Sequence, residues 1–236
     1  MVSNPLRMIE DARHSAQIPE KMYQRIEDRF HIVMEGINRI EQASGLKYPL
    51  YYVLPELVLV SSTVEYDKVG IFFARTIPTI GFNNRLNVVI QITAPLVAFG
   101  LLGTVHAILA HEFLHYLELV RRIIKMNFVS DEISSSLFEE KYSDDDRLMN
   151  AKVVFRSDPT LIRHISNRFN DGFRDPSLEK IAISEWIDKG LPITRVPIDC
   201  NITKIPFESI VSLEVDDDVK EKITAYEMAS RASLSS

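Results

Sequence analysis

The sequence predicts an α+β fold, with a small β-sheet and its helices in the amino-terminal part and a mainly helical carboxy-terminal lobe. Short runs rich in Val, Ile, Phe and Tyr, separated by Pro, Gly and Asn, lie between residues 51 and 93. A long apolar segment with helical periodicity follows these runs, and helical patterns dominate the rest of the chain. Together these three features are typical of an α+β protein.

Composition predicts one domain. A chain of 236 residues with 46% apolar content can bury one sizeable core, and no linker divides it into independent units. We expect a single two-lobed domain, with an upper lobe of about residues 1–126, a lower lobe of about 127–215 and a tail of about 216–236.

The amino-terminal elements follow from local patterns. Pro19–Ala43 carries apolar residues at helical spacing and ends before Gly45, which predicts an amphipathic helix that packs on a sheet. Four runs of β-forming residues predict strands: Tyr51–Leu54, Leu57–Ser61, Val69–Ala74 and Asn87–Thr93.

The last of these strands leads directly into one long helix, for which Thr93 is a candidate cap and Pro95 lies in the first turn. One side of this helix is apolar and comprises Leu102, Leu109, Phe113, Val120 and Ile124. The opposite side is polar and narrow, with Thr104, Ala107 and Glu118.

Helices and extended chain are expected beyond the long helix. Helical patterns cover Leu161–Phe169 and Leu178–Lys189, the second closed by Gly190. An extended segment is expected from Pro192 to Pro206, a charged helix from Asp216, and a disordered end over Ser230–Ser236.

The polar side of the long helix carries the string His111-Glu112-Phe113-Leu114-His115. Residues four apart share a helix face at a Cβ separation of roughly 5–6 Å, so both imidazoles can bind one metal ion. Glu112 is rotated by about 100° from His111, where it can contact a metal-bound water without binding the metal. His106 lies on the apolar side, so we interpret it as structural.

This motif resembles that of the zincin zinc metallopeptidases. The resemblance implies a zincin-like fold with a small mixed sheet and a central active-site helix, one zinc per monomer bound by His111 and His115, and Glu112 as the general base. It also implies that Asn87–Thr93 borders the substrate cleft, where an extended peptide can pair with the edge of this strand. Alternatively, Asn87–Thr93 is an ordinary strand of the sheet. The metzincin extension has Gly and His where this chain has Glu118 and Arg121, so the chain does not fit the metzincin subgroup. Ser134 stands near the thermolysin-type position of the third ligand, so a looser gluzincin-like pattern fits best.

A third zinc ligand is expected from the predicted short helix Asp131–Tyr142, because a catalytic zinc usually has three protein ligands. Ile133 and Leu137 form its apolar stripe, which favours Glu139 over Glu140. Alternatively, these carboxylates belong to a solvated acidic run.

The expected reaction is hydrolysis of peptide bonds by a metal-activated water, with a peptide or protein as substrate. Candidates for the group that stabilises the oxyanion are Tyr142, His164 and Arg156. Two alternatives stay open: a non-catalytic interaction module with a zincin-like fold, and a membrane-associated metalloprotease, because Ala94–Ala110 is nearly uncharged.

Charge and cysteine content narrow the function class. The net charge of −6 and the scattered basic residues argue against nucleic acid as a partner. The single Cys200 cannot form an internal disulfide, and Met1–His14 lacks the apolar core of a secretory signal. We therefore expect a cytoplasmic protein without a membrane partner; the sequence does not indicate an oligomeric state.

Overall fold

The computed structural model of the chain describes residues 4–61, 69–80, 85–125, 148–169, 173–197 and 212–234. Its architecture is α+β, as predicted, but it contains two small sheets instead of the one that was expected. The helices of the described residues are α1 Arg7–His14, α2 Glu20–Ser44, α3 Ala94–Phe99, α4 Leu102–Ile124, α5 Ala151–Val154, α6 Pro159–Phe169, α7 Pro176–Ala182 and α8 Asp217–Leu234. A π-helical turn, Ile183–Ile187, continues α7.

In the described part of the chain, six strands form two small mixed sheets. The strands are β1 Tyr51–Leu54, β2 Leu57–Ser61, β3 Val69–Phe72, β4 Ala74–Ile80, β5 Leu86–Thr93 and β6 Ile193–Pro197. The first sheet has the order β1-β5-β4, with β1 parallel and β4 antiparallel to β5. The second has the order β3-β2-β6, with β3 antiparallel and β6 parallel to β2.

The position of β5 in the first sheet differs from the expectation that a peptide could pair with its edge. Strand β5, which contains the predicted border segment Asn87–Thr93, is the central strand and pairs on both sides. Among the described strands, β4 lies at the edge next to α4. The predicted strand Val69–Ala74 comprises β3 and the first residue of β4, and the rest of β4, which contains Pro78, was not predicted. Edge strands tolerate proline, since their outer N–H groups need no partner.

Helices α2 and α4 pack against each other, and α4 also contacts β4 and β5. The close approach of the two helices depends on Gly36, where a Cβ would lie 2.8 Å from His106 Cδ2 and 2.9 Å from Leu109 Cδ1. Tyr48 forms a further contact with α4: its hydroxyl donates a hydrogen bond to the carbonyl of Leu109 at 3.0 Å. These contacts fix the central helix within the core.

The predicted long helix is in fact two helices, α3 and α4, separated at Gly100. A Cβ on Gly100 would lie 2.6 Å from the carbonyl oxygen of Leu96, so the tight connection requires glycine. Thr93 does not cap α3 with its side chain; its hydroxyl donates to the carbonyl of Phe73 at 3.0 Å. At the other end of α3, Arg25 and Arg29 donate to the carbonyls of residues 97, 98 and 100.

The residues of α4 that are buried also differ in part from those that the apolar spacing predicts. Leu109, Phe113 and Val120 are buried as expected, whereas Leu102 and Ile124 are exposed. The polar side is buried too, including Thr104 and Glu118. The helix is therefore surrounded on most sides, which periodicity alone does not indicate.

Helix α8 shows that the predicted tail joins the core. Val219 and Ile223 are buried, and the helix continues to Leu234 through part of the segment expected to be disordered. The predicted extended segment after Pro192 begins as β6, which pairs with β2. The predicted helix Asp131–Tyr142 lies outside the described residues. None of the helices that the structure describes combines the length and apolarity needed to cross a membrane.

Candidate metal centre

Helix α4 brings the two motif histidines together. Their Nε2 atoms lie 3.1 Å apart, and the ring planes are nearly perpendicular, at 87°. His111 is buried and His115 half-buried. The i, i+4 spacing predicted this pairing, because residues four apart lie on one face of a helix.

The spacing of the two nitrogens suits a shared metal ion. Zinc binds imidazole nitrogen at about 2.0–2.1 Å, so two nitrogens 3.1 Å apart could both reach one ion. The same separation suits a hydrogen bond between two neutral rings. The pair can therefore hold an ion with little movement of either ring.

Aromatic side chains cover one face of His111. The ring of Phe169 stacks on it at a centroid distance of 3.7 Å and an angle of 7°. Phe169 also contacts Phe173, which packs against Phe73 beside the start of β4. This apolar wall holds the His111 ring in place and keeps water from one side of the pair.

A buried polar contact lies beside Phe169 in the sequence. Thr104, on the histidine side of α4, donates to Asp175 at 2.6 Å, and Arg168 lies 3.3 Å from the same carboxylate oxygen. Asp175 also caps α7 by accepting from the backbone N–H of Leu178 at 3.1 Å. Phe169 follows Arg168 directly, so this contact secures its position over His111.

The Glu112 carboxylate is held by strand β4. The hydroxyl of Thr76 lies 2.8 Å from Glu112 Oε2 and 2.9 Å from the carbonyl oxygen of Glu112. The hydroxyl has only one proton to donate, and a carboxylate is a stronger acceptor than a peptide carbonyl, so we expect Thr76 to donate to Oε2. Glu112 is only 8% exposed, so this hydrogen bond largely determines where its side chain points. Its charge also reaches Tyr48, whose pKa is raised well above its ordinary value, first by burial and then by Glu112.

Glu118 lies on the same helix face, one turn beyond His115, and its carboxylate is already bound. It accepts hydrogen bonds from Arg121 at 2.6 and 2.8 Å and from Arg122 at 2.9 Å. These hydrogen bonds raise the pKa of Arg121, with a further contribution from Glu227 of α8. Glu118 therefore stabilises the end of α4 rather than facing the histidine pair.

The remaining candidates are placed as follows. Glu139, Glu140 and Tyr142 lie outside the described residues, and within the described residues no group of three potential metal ligands is found. His164 packs on Gly103, where a Cβ would lie 3.1 Å from its Cε1. Gly103 precedes His111 by eight residues, which corresponds to about 12 Å along the helix. Arg156 lines a separate cavity at the end of α2. The described contacts bring neither residue to the histidine pair.

His106 has the structural role that the sequence predicts. It is buried, and its Nε2 donates to the carbonyl of Ile32 at 3.2 Å. Arg39 approaches the other ring nitrogen and forms a two-point ion pair with Asp158 at 2.6 and 2.8 Å. Burial lowers the pKa of His106, and Arg39 lowers it further. The ring is therefore kept neutral.

Sequence reasoning missed Thr76, because it lies 36 residues before Glu112 and no local motif connects them. It also missed Phe169, which the sequence pattern marked only as the end of a predicted helix. Comparison of the chain with protein-family models, curated proteins and solved structures finds no match.

Proposed function

We propose that the chain is a zinc-dependent peptidase of the zincin type, closer to gluzincins than to metzincins. The observation that carries this proposal is the convergence of the His111 and His115 Nε2 atoms at 3.1 Å, together with the hydrogen bond from Thr76 that holds the carboxylate of Glu112, the residue next to His111 on the helix. A purely structural site has no need for a buried carboxylate at this position, since burying it is costly. The hydrogen bond from Thr76 of strand β4 to the Glu112 carboxylate further supports a catalytic role for Glu112.

In this proposal His111 and His115 bind the zinc, and Glu139 or Glu140 supplies the third ligand. Bound zinc would polarise the scissile carbonyl and lower the pKa of water to about 7. Glu112 accepts the proton of the attacking water and transfers it to the departing amine. Thr76 keeps the Glu112 carboxylate in position for both transfers, and Phe169 limits access of bulk water to His111.

The substrate is proposed to be an extended peptide. Strand β4 leaves its outer edge unpaired among the described strands, and a peptide can add to such an edge through backbone hydrogen bonds. Thr76 lies on this strand, so a peptide paired with β4 would pass close to Glu112. The lone Cys200 supports a cytoplasmic location as part of the proposal.

Metal content and hydrolysis test this proposal together. The purified protein should contain one equivalent of zinc, and His111→Ala should lose it, whereas His31→Ala, a change of an exposed histidine on α2, should retain it. Glu112→Gln should keep the metal and lose hydrolysis of a mixed peptide library by about 10²–10⁴-fold or more. Zinc retention with no hydrolysis by the wild type would favour the non-catalytic interaction module.

The third ligand is tested by zinc titration of Glu139→Ala and Glu140→Ala. The true ligand should lose affinity by orders of magnitude, because a carboxylate both coordinates the ion and offsets its charge. We expect the large loss at Glu139, and a large loss only at Glu140 would reverse the assignment.

A further inference from the structure

A cavity of about 460 Å³ lies where the end of α2, the α5 segment and α8 meet. Its volume is within the range of about 300–1,000 Å³ that is typical of small-molecule sites. Part of its wall is apolar, with Val154, Ala225 and Ala229. It is lined by α2, α5 and α8 residues and shares none of its lining with the histidine pair.

Three cationic side chains line this cavity: Lys152, Arg156 and Lys222. The Lys222 Nζ lies 3.3 Å from the position that a Cβ on Gly45 would take, so it reaches the end of α2. Arg156 is close enough to Tyr226 for its charge to oppose the rise in the pKa of Tyr226 that burial causes. Since Tyr226 lies one turn after Lys222 on α8, the three charges surround one space.

The lining of the cavity, drawn entirely from described residues, contains no carboxylate. Lys152, Arg156 and Lys222 are all exposed, so an anion from solvent can reach them. The chain as a whole is acidic, with a net charge of −6. The three cations therefore give the lining of this cavity a positive charge, opposite in sign to the net charge of the chain.

The carbonyl groups at the end of α2 do not need the three cations as hydrogen-bond donors. Ser157 donates to the carbonyl of Ala43 at 3.2 Å, and Tyr226 donates to the carbonyl of Ser44 at 2.7 Å. Gly45 closes the helix through its backbone N–H to Glu41. Because neutral donors already bind these carbonyls, the cationic groups stay available to an anion.

We propose that this cavity binds a phosphorylated small molecule of about nucleotide size. Two lysines and an arginine suit a group with two or more negative charges, since Arg binds phosphate through two parallel hydrogen bonds and Lys as a point charge. The cavity is larger than a phosphate group needs, and its apolar wall at Val154, Ala225 and Ala229 suits an organic body attached to the phosphate. This proposal does not depend on peptidase activity.

Calorimetric titration with adenosine diphosphate and with pyrophosphate tests the proposal. Both should bind the full-length protein, and adenosine diphosphate should bind more tightly because its base and ribose contact the apolar wall. Arg156→Gln and Lys222→Gln should each weaken both ligands at least about tenfold, the loss expected for one charge-assisted hydrogen bond. Arg163→Gln, which removes an exposed arginine of α6 outside the cavity, is the matched control and should change neither affinity.

A second variant separates the phosphate from the organic body. Ala229→Leu fills part of the apolar wall and leaves all three cations, so it should weaken adenosine diphosphate and leave pyrophosphate binding unchanged. Circular dichroism checks that each variant is folded. Equal affinities of the wild type and the Arg156→Gln/Lys222→Gln double variant would overturn the proposal. Tighter binding of hexaglutamate than of adenosine diphosphate would also overturn it and indicate an acidic peptide instead.

Discussion

Thr76→Val tests whether β4 holds the Glu112 carboxylate. Valine has nearly the shape of threonine but cannot donate, so the change removes the 2.8 Å hydrogen bond and leaves a carboxylate that is 8% exposed without this donor. A hydrogen bond to a charged group contributes about 1.5–3 kcal/mol. For a chain of this length, each kcal/mol corresponds to a change of about 2–4 °C in Tm, so we expect a loss of about 3–12 °C.

Thermal unfolding of four proteins measures this contribution: the wild type, Thr76→Val, Glu112→Gln and the double variant. An amide oxygen is a weaker acceptor than a carboxylate, so in the Glu112→Gln background Thr76→Val should cost only about 0.5–1.5 kcal/mol. Thr76→Ser retains the hydroxyl and serves as the control. Equal Tm values for Thr76→Val and Thr76→Ser, or strictly additive effects in the cycle, would refute the proposed hydrogen bond.

Three further outcomes are expected. Gly36→Ala places a Cβ 2.8 Å from the ring of His106, and such overpacking costs about 1–3 kcal/mol against a gain of about 1 kcal/mol in helix propensity. Urea unfolding should therefore show a net loss of up to about 2 kcal/mol, and an increase in stability would contradict the close helix contact. The pKa of His106 is lowered by burial, so its neutral form stabilises the fold fully above the unfolded pKa of about 6.5, and this stability is lost as pH falls through the folded value. Unfolding measured at pH 7 and pH 5 should therefore show a smaller loss for His106→Gln than for the wild type, and equal losses would count against this explanation. Glu227→Ala removes the 2.9 Å ion pair with Arg121, so limited proteolysis should cut α8 faster than in the wild type, whereas Glu221→Ala, an exposed position on the same helix, should not have this effect.

Features set by neighbouring residues could be predicted from the sequence. The apolar spacing before Gly45 predicted α2 to within one residue at each end, because glycine readily takes the φ of 68° found at the cap. The pairing of His111 with His115 follows from helix geometry alone. In both cases the determining residues lie within a few turns of one another, so no knowledge of the rest of the fold is needed.

Features set by packing between distant segments could not be predicted. Nothing in the local pattern around Thr76 shows that β4 would lie against α4, because strand order depends on how the whole sheet assembles. The break between α3 and α4 was missed for a similar reason. Gly100 is tolerated within a helical pattern, and the carbonyls freed by the break are bound by Arg25 and Arg29 from α2.

Glu118 is an intermediate case. Its position seven residues after His111 places it on the histidine face, so spacing alone would make it an attractive third ligand. Arg121 and Arg122 follow at i+3 and i+4, the positions from which cations pair with a carboxylate on a helix, and the structure shows that both do so. To bind zinc, Glu118 would have to give up these partners and leave two arginine charges less well compensated in a partly buried position. The local sequence therefore already argues against Glu118, and the third ligand should come from a segment other than α4.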